Sequence, residues 1–387
     1  MTTPQTSPAL RFPDFSCRWE TLRLGELCST FRSGSGITSD DIGVTGRFPV
    51  FGGNGLRGFT DTYTHDGRYL LIGRQGALCG NINLVEGKTF ISEHAIAVEG
   101  NDQTDTAWLA HRLDHHNLNR LSESSAQPGL SVGKLTRLKF HVPTLPEQRK
   151  IANFLTAVDG RIGQLSQKKA LLEDYKKGVM QQLFTQALRF KDDHGNDFPE
   201  WEEKKLGAVC RILKGKGLSK ADLADDGATP CIRYGELYTI YSELIQNTKS
   251  RTNVAVKELV LSEENDVIIP ASGETHIDIA TASCVMAKGV ALGGDLNIIR
   301  TKLNGVFLAY YLNNACKHAI ARVAQGSSVI HLYPDQLKGL SLRFPSTDEQ
   351  TKIANFLTAL DLKIESVAQQ ITHTQTFKKG LLQQMFV

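Results

Sequence analysis

A 38-residue stretch is written twice in this chain, 202 positions apart and without a gap. Residues 147–184 read EQRKIANFLTAVDGRIGQLSQKKALLEDYKKGVMQQLF, and residues 349–386 read EQTKIANFLTALDLKIESVAQQITHTQTFKKGLLQQMF, with nineteen of the 38 positions identical. Self-similarity over this length implies a molecule of two like halves, in which any ligand is met twice.

The repeated stretch has the period of a coiled-coil helix. Steps of four then three from Ile151 land on Leu155, Val158, Ile162, Leu165, Lys169, Leu172, Lys176, Val179 and Leu183. In the second copy they land on Ile353, Leu357, Leu360, Ile364, Val367, Ile371, Thr374, Lys378, Leu381 and Met385. Eight of ten positions are apolar in each copy, the seam of a paired helix. Pro146 and Pro345 mark the helix starts, and Glu147 and Asp348-Glu349 place negative charge at the positive helix end. At ~1.5 Å per residue such a helix is a rod of ~57 Å. Two in one chain pair most simply with each other, antiparallel, with a head between them. Packing of each helix on its own head is the alternative. Gly160 and Gly163 put the straightness of the first helix in question.

Similarity continues outside the rods with a drifting offset. Trp19-Glu20 and Leu24-Gly25 match Trp201-Glu202 and Leu206-Gly207, and Arg-Ser-Gly-Ser-Gly (32–36) parallels Lys-Gly-Lys-Gly (214–217). Trp108-Leu109-Ala110 matches Phe307-Leu308-Ala309, and Pro143 matches Pro345. The second half carries ~20 extra residues, mostly between positions equivalent to 35 and 70, so the inserted loops are free to differ. Short apolar runs at 69–72, 95–98, 267–269 and 296–299 predict strands, and residues 106–121 and 306–323 predict helices. The expected fold class is therefore mixed α/β: two heads, at 1–145 and 187–345, alternating with long helices at 146–186 and 346–387.

At 387 residues there is room for two or three cored domains. No apolar run approaches the ~18–20 residues of a membrane span, and the N-terminus lacks the order of a signal peptide. Seven scattered cysteines form no CxxC pair, which fits buried thiols in a reducing cytoplasm. Net charge is only +3; the first long helix, with 7 basic and 4 acidic residues, holds the whole surplus. A nucleic-acid partner would have to be met by locally arranged charge.

Several apparent motifs are decoys. Gly53, Gly55 and Gly58 fit GxGxxG, but the following Phe-Thr-Asp-Thr-Tyr-Thr (59–64) is poor helix sequence, and a phosphate site needs a helix N-terminus there. Gly87-Lys88-Thr89 lacks the first glycine of a P-loop, whose place Ile82 takes. Glu202-Glu203-Lys204 has no upstream acidic partner for a nuclease motif. His111, His115 and His116 lie on a polar helix and read as surface residues, with no metal site. No catalytic centre and no metal site is expected.

What remains are polar, glycine-flanked loops after the central strand of each head: Gly-Arg-Gln-Gly (73–76) and Pro-Ala-Ser-Gly-Glu-Thr (270–275). Arg and Gln bond guanine and adenine edges bidentately, Glu accepts from cytosine, and Ser and Thr serve either. The candidate DNA-binding residues are Arg74, Gln75, Ser272, Glu274 and Thr275 in these loops, with Asn54, Arg57, Lys214, Lys216, Arg233 and Tyr234 for further base or phosphate contacts.

The chain resembles the specificity (S) subunits of Type I restriction–modification enzymes. The resemblance rests on Pro-Glu-Gln-Arg-Lys-Ile-Ala-Asn-Phe-Leu (146–155), its second copy Asp-Glu-Gln-Thr-Lys-Ile-Ala-Asn-Phe-Leu (348–357), and the lead-in Phe-Pro-Glu-Trp to Lys-Leu-Gly (198–207). Phe-Pro-Val-Phe-Gly-Gly-Asn-Gly (48–55), Ile-Gly-Arg-Gln-Gly-Ala (72–77) and Ile-Arg-Tyr-Gly-Glu-Leu (232–237) are similar to that family's variable domains. Cys17-Arg18-Trp19, in place of Pro-Glu-Trp, is a small departure. The resemblance implies two target-recognition domains joined by an antiparallel coiled coil, no cofactor in this chain and no catalysis by it. It further implies that each head reads one half of an asymmetric bipartite site in double-stranded DNA. The implied partners are two methylation subunits, which methylate adenine with S-adenosylmethionine, and restriction subunits using ATP and Mg. Ile151, Leu155, Val158, Ile162, Ile353, Leu357, Leu360 and Ile364 are expected in the coiled coil and in partner docking. The rod would then be a ruler, since half-sites one helical turn apart lie ~34–36 Å centre to centre. A specificity subunit of another combined methyltransferase–nuclease system, or a purely structural coiled-coil protein, is the competing reading.

Overall fold

The computed structural model of the chain describes residues 7–122 and 128–386. Two compact units emerge: residues 1–167 with 368–387, and residues 168–367. The four consecutive segments expected from the sequence thus regroup, because each unit takes part of both long helices.

The repeated stretches are the helices Leu145–Phe184 and Thr347–Met385. All ten seam positions of each copy are buried or half-buried. Gly160 and Gly163 do not interrupt the first helix, and a Cβ at either would meet nothing within 4 Å. Pro146 falls in the first turn, where its missing N–H breaks no helical hydrogen bond.

In unit 1 the head core gathers Ile151, Ala152 and Leu155 from the start of the first helix and Leu381, Leu382, Met385 and Phe386 from the end of the chain. Asp159 meets Lys378 at 2.7 Å. Early residues of one helix thus lie with late residues of the other, and the pair is antiparallel. Unit 2 repeats this with the roles exchanged. Its core contains Val179, Leu183 and Phe184 with Ile353, Leu357 and Leu360, and Lys176 meets Asp361 at 2.6 Å. Burial of each such Leu, Met or Phe side chain contributes roughly 1.5–3 kcal/mol.

Each head is held to its helix start by the same contacts. The carboxylate of Glu147 accepts two hydrogen bonds from Arg11, both at 2.7 Å, and that of Glu349 accepts from Arg189 at 3.2 and 3.0 Å. The next residue clamps the cap of a head helix. Gln148 accepts from the Asp105 N–H and donates to the Pro143 carbonyl; Gln350 accepts from the Asn304 N–H and donates to that of Pro345. Asp105 and Asn304 in turn cap helices Thr106–His116 and Gly305–Asn313, accepting from the Trp108 and Phe307 N–H groups. The Leu10 N–H donates to the Gln384 carbonyl as the Leu188 N–H does to Gln182, so the N-terminal segment meets the end of one helix as the interior segment meets the end of the other.

The head of unit 1 carries a six-stranded sheet in the order Cys28–Ser33, Ala95–Gly100, His65–Gly73, Ile82–Ile91, Phe48–Gly52, Gly55–Thr60. It is antiparallel except between Phe48–Gly52 and Ile82–Ile91. In unit 2 the equivalent of Ile82–Ile91 is broken into Ser283–Val285 and Ala291–Leu292. The sheet accordingly divides into five strands centred on Asp266–Pro270 and three centred on Thr229–Ile232. The four predicted strands are all present. The helix expected over 106–121 stops at His116, where Asn117 takes φ 55°, and a 3₁₀ turn follows. That over 306–323 breaks at Asn314. Asparagine tolerates the left-handed backbone that Asn117 takes, whereas Asn314 ends its helix at φ −114°.

Candidate nucleic-acid interface

In both heads the central strand is sealed: Leu70, Leu71 and Ile72, like Val267, Ile268 and Ile269, have no exposed surface. The loop that follows is pinned at equivalent places. The Arg74 N–H donates to the His94 carbonyl at 3.0 Å and the Arg74 carbonyl accepts from the Leu130 N–H at 3.0 Å; the Ala271 N–H donates to Asp295 at 2.8 Å and its carbonyl accepts from Leu332 at 3.0 Å. A second loop is held by Gly34 N–H to Ala95 and by Gly215 N–H to Leu296. A Cβ on Gly34 would stand 2.3 Å from the Ile91 carbonyl oxygen, and one on Gly215 would stand 1.9 Å from that of Gly293. Only glycine allows this approach. The backbone frame of the site is therefore duplicated, while its side chains are not.

In unit 1 the frame encloses a cleft of about 300 Å³ lined by Asn54, Arg57, Gln75, His94 and the glycines 52, 53 and 55. Asn54, Arg57 and Gln75 are exposed, and Asn54 accepts from Asn81 at 3.5 Å. Gly52 makes room for the Arg57 stem, since a Cβ there would stand 2.8 Å from Arg57 Cδ. Arg74 is half-buried and does not line this cleft. The GxGxxG stretch is a β-hairpin turn in which Gly52 pairs with Gly55.

In unit 2 the equivalent cleft, about 600 Å³, is lined by Lys220, Asp222, Arg233, Tyr234, Asp295 and glycines 217, 293 and 294. A second hollow of about 780 Å³ is lined by Tyr234, Tyr238, Ser272, Glu274 and Asp278. Tyr234 borders both. The Tyr238 hydroxyl donates to the Ser272 carbonyl at 3.1 Å, tying the two loops together, and burial raises the Tyr238 pKa. Thr275 is turned to local use, its hydroxyl donating to Asp278 at 2.6 Å. Lys214 and Lys216 are exposed and line neither hollow. Of the predicted residues, the fold thus assembles Asn54, Arg57 and Gln75 in one head, and Arg233, Tyr234, Ser272 and Glu274 in the other.

Glu236 was missed by sequence reasoning. It is 4% exposed, and its carboxylate accepts from the Arg233 N–H at 2.6 Å and from the Ser250 hydroxyl, fixing the Arg233-Tyr234 turn. The signal was its place in Ile-Arg-Tyr-Gly-Glu-Leu.

One expectation needs correction. His111 is buried rather than at the surface, with a ring nitrogen 3.2 Å from the Thr156 hydroxyl; His115 and His116 are half-buried against Phe386 and Phe140. Their helix reads as polar but is covered by both long helices of the unit. Ile151, Leu155, Ile353, Leu357 and Leu360 are buried, and Val158, Ile162 and Ile364 half-buried, as the seam of a helix pair requires.

The comparisons with known proteins agree with this architecture. The family model for the Type I restriction modification DNA specificity domain matches residues 17–174 and again 199–373. The EcoprrI specificity subunit of Escherichia coli is 47% identical over 112 residues, which is 29% of this chain and 28% of that subunit. The MjaVIII specificity subunit of Methanocaldococcus jannaschii is 22% identical over 400 residues, covering 96% of this chain and 92% of that one. The crystal structure of the S subunit of a Type-I restriction-modification system from M. genitalium superposes with a TM-score of 0.69 at 17% identity, covering 98% of this chain and 99% of that one. Two like α/β heads with shared long helices define the class of Type I specificity subunits. The chain belongs to the Type I restriction modification DNA specificity domain family.

Proposed function

We propose that each head reads one half of an asymmetric, bipartite site in double-stranded DNA, and that the chain serves as the sequence-reading, non-catalytic component for methylation subunits that modify adenine. The observation carrying this reading is the duplicated cleft: one backbone frame, lined by Asn54, Arg57, Gln75 and His94 in one head and by Lys220, Arg233, Tyr234 and Asp295 in the other. A common frame suits a common ligand, and different donors and acceptors suit different base sequences. Docking of two methylation subunits is supported by Tyr175 and Phe377, exposed aromatics at repeat-equivalent positions on the two long helices. A pair of like surfaces suits a partner bound twice. S-adenosylmethionine, ATP and Mg would belong to the other subunits, and restriction subunits would complete the assembly.

The deciding experiment is competition binding by this chain with its methylation subunits. A split, asymmetric duplex is expected to win by at least about a thousandfold over scrambled DNA. Equal affinity for both would refute the reading.

A further inference from the structure

We infer that His94 and Asp295 are one and the same base-reading position, occurring once in each head with different side-chain chemistry. This rests on the proposal that the heads read DNA, and goes beyond it by assigning a specificity-determining pair.

Their equivalence is a matter of backbone bonding. His94 and Asp295 each offer the carbonyl that pins the loop after the central strand, to Arg74 and Ala271. Three positions before each, Ile91 and Leu292 accept from the Ser35 and Lys216 N–H groups; one position after, Ala95 and Leu296 accept from Gly34 and Gly215. Both residues are exposed, each between a half-buried residue and a buried one, and both line the cleft of their own head.

The chemistry at the two places differs. His94 Nε2 lies 3.3 Å from Glu93 Oε1, and His94 lines the cleft together with Gln75 and Arg57. Glu93 has glycine, Gly294, as its counterpart. In unit 2 the Asp222 carboxylate is engaged by the Ser219 hydroxyl at 2.7 Å, whereas that of Asp295 has no hydrogen-bonding partner among the described residues. A carboxylate in a DNA-facing cleft is repelled by phosphate and satisfied by an amino donor, and cytosine N4 offers one in the major groove. Lys220 and Arg233 in the same cleft supply the cationic groups that phosphates need. An imidazole at the equivalent station, its Nε2–H given to the Glu93 carboxylate, keeps its other ring nitrogen for a base edge. One station therefore meets its base through an imidazole in the first half-site and through a carboxylate in the second.

The test uses the full chain produced with its methylation subunits, with modified adenines mapped by sequencing and base preference measured by competition binding against duplexes altered one position at a time. D295N is expected to lower discrimination at a single position of the second half-site by about tenfold, leaving the first half-site intact. H94A is expected to do the same at a single position of the first half-site only. An unchanged preference at every position would overturn the inference, as would relaxation in the wrong half-site. Loss of all DNA binding by D295N, in protein whose melting temperature is unchanged, would also overturn it, because a base-reading group does not hold the duplex. If methylation is lost while binding persists, the binding series decides alone. A wild-type complex that prefers no split site would instead refute the DNA-reading proposal itself, so the two failures are separable.

Discussion

The ammonium of Lys378 stands 2.7 Å from the carboxylate of Asp159, and the residues 202 positions earlier and later, Lys176 and Asp361, make the same pair at 2.6 Å. A lysine at a seam position is tolerated only where an opposite charge meets it, so each pair sets the register of antiparallel helices within its own unit. The surroundings differ. Beside Asp361 lies the Tyr310 hydroxyl, which donates to it, whereas beside Asp159 lies His111 at 3.8 Å.

The pairs are part-exposed, with the lysines 19% and 14% accessible and the aspartates 40% and 33%, so each should be worth no more than about 1 kcal/mol. K176A should cost more than K378A, because Lys176 also lies 5.0 Å over the Tyr310 ring. The double variant should equal the sum of the singles, the sites being in separate units. Urea denaturation of the full chain measures all three; a large non-additive term would refute the independence of the two registers.

Glu349 is 1% accessible and accepts two hydrogen bonds from Arg189, so E349A removes the buried partner of a guanidinium that keeps only Glu200 and the Phe198 and Pro199 carbonyls. A loss of about 3 kcal/mol is expected, against about 1 kcal/mol for E200A, whose carboxylate is 80% accessible to water. Chemical denaturation that ranks the two variants equally would contradict the assigned anchor.

Unit 1 should be the acid-sensitive half. Burial first, then Arg120 and Arg112, push His116 down to about 4, and burial also lowers His111 and His115. A histidine with a depressed folded pKa favours folding only while neutral. As pH falls below about 6.5 the unfolded chain takes up the proton first, and this stability is lost between about 6.5 and about 4. The slope should stay below about 1.4 kcal/mol per pH unit per histidine, since each ring takes up a single proton. H116N should flatten the difference in melting temperature between pH 7 and pH 5. An equal slope in wild type and H116N would exclude the effect.

Lys216 is exposed at the end of a glycine-held loop and outside the base-reading hollows. K216A is expected to weaken binding to cognate and scrambled duplex alike and to reduce the slope of log affinity against log salt by about 1. Q75A, by contrast, should relax one position of the first half-site with little change in that slope. Binding titrations at several salt concentrations separate a phosphate contact from a base contact.

Much of the architecture was legible in the sequence because local chemistry sets it. The four-three spacing of Ile, Leu and Val marked the buried face of both rods, and every seam residue named from it proved buried or half-buried. The branched runs marked the central strands. The site was legible only as composition: Arg74 and Gln75 are chain neighbours, yet Gln75 lines the cleft and Arg74 does not. His94 and Asp295 gave no signal, because the offset between the halves drifts and only shared backbone hydrogen bonds align these two residues. Glu236 looked like any surface acid until Arg233 and Ser250 closed on it.

The sequence by itself determined that the molecule is two copies of one plan, with helices whose apolar stripe must be covered, since period and repetition are properties of the string. What covers the stripe was decided by tertiary structure. Phe386 lodges beside Trp108, and Phe184 beside Phe307 and Tyr311, far away in the chain. A hydrophobic period states that a face seeks burial and is silent about its partner, because the hydrophobic effect is non-directional. Shape, cap geometry and the two Lys–Asp pairs made that choice.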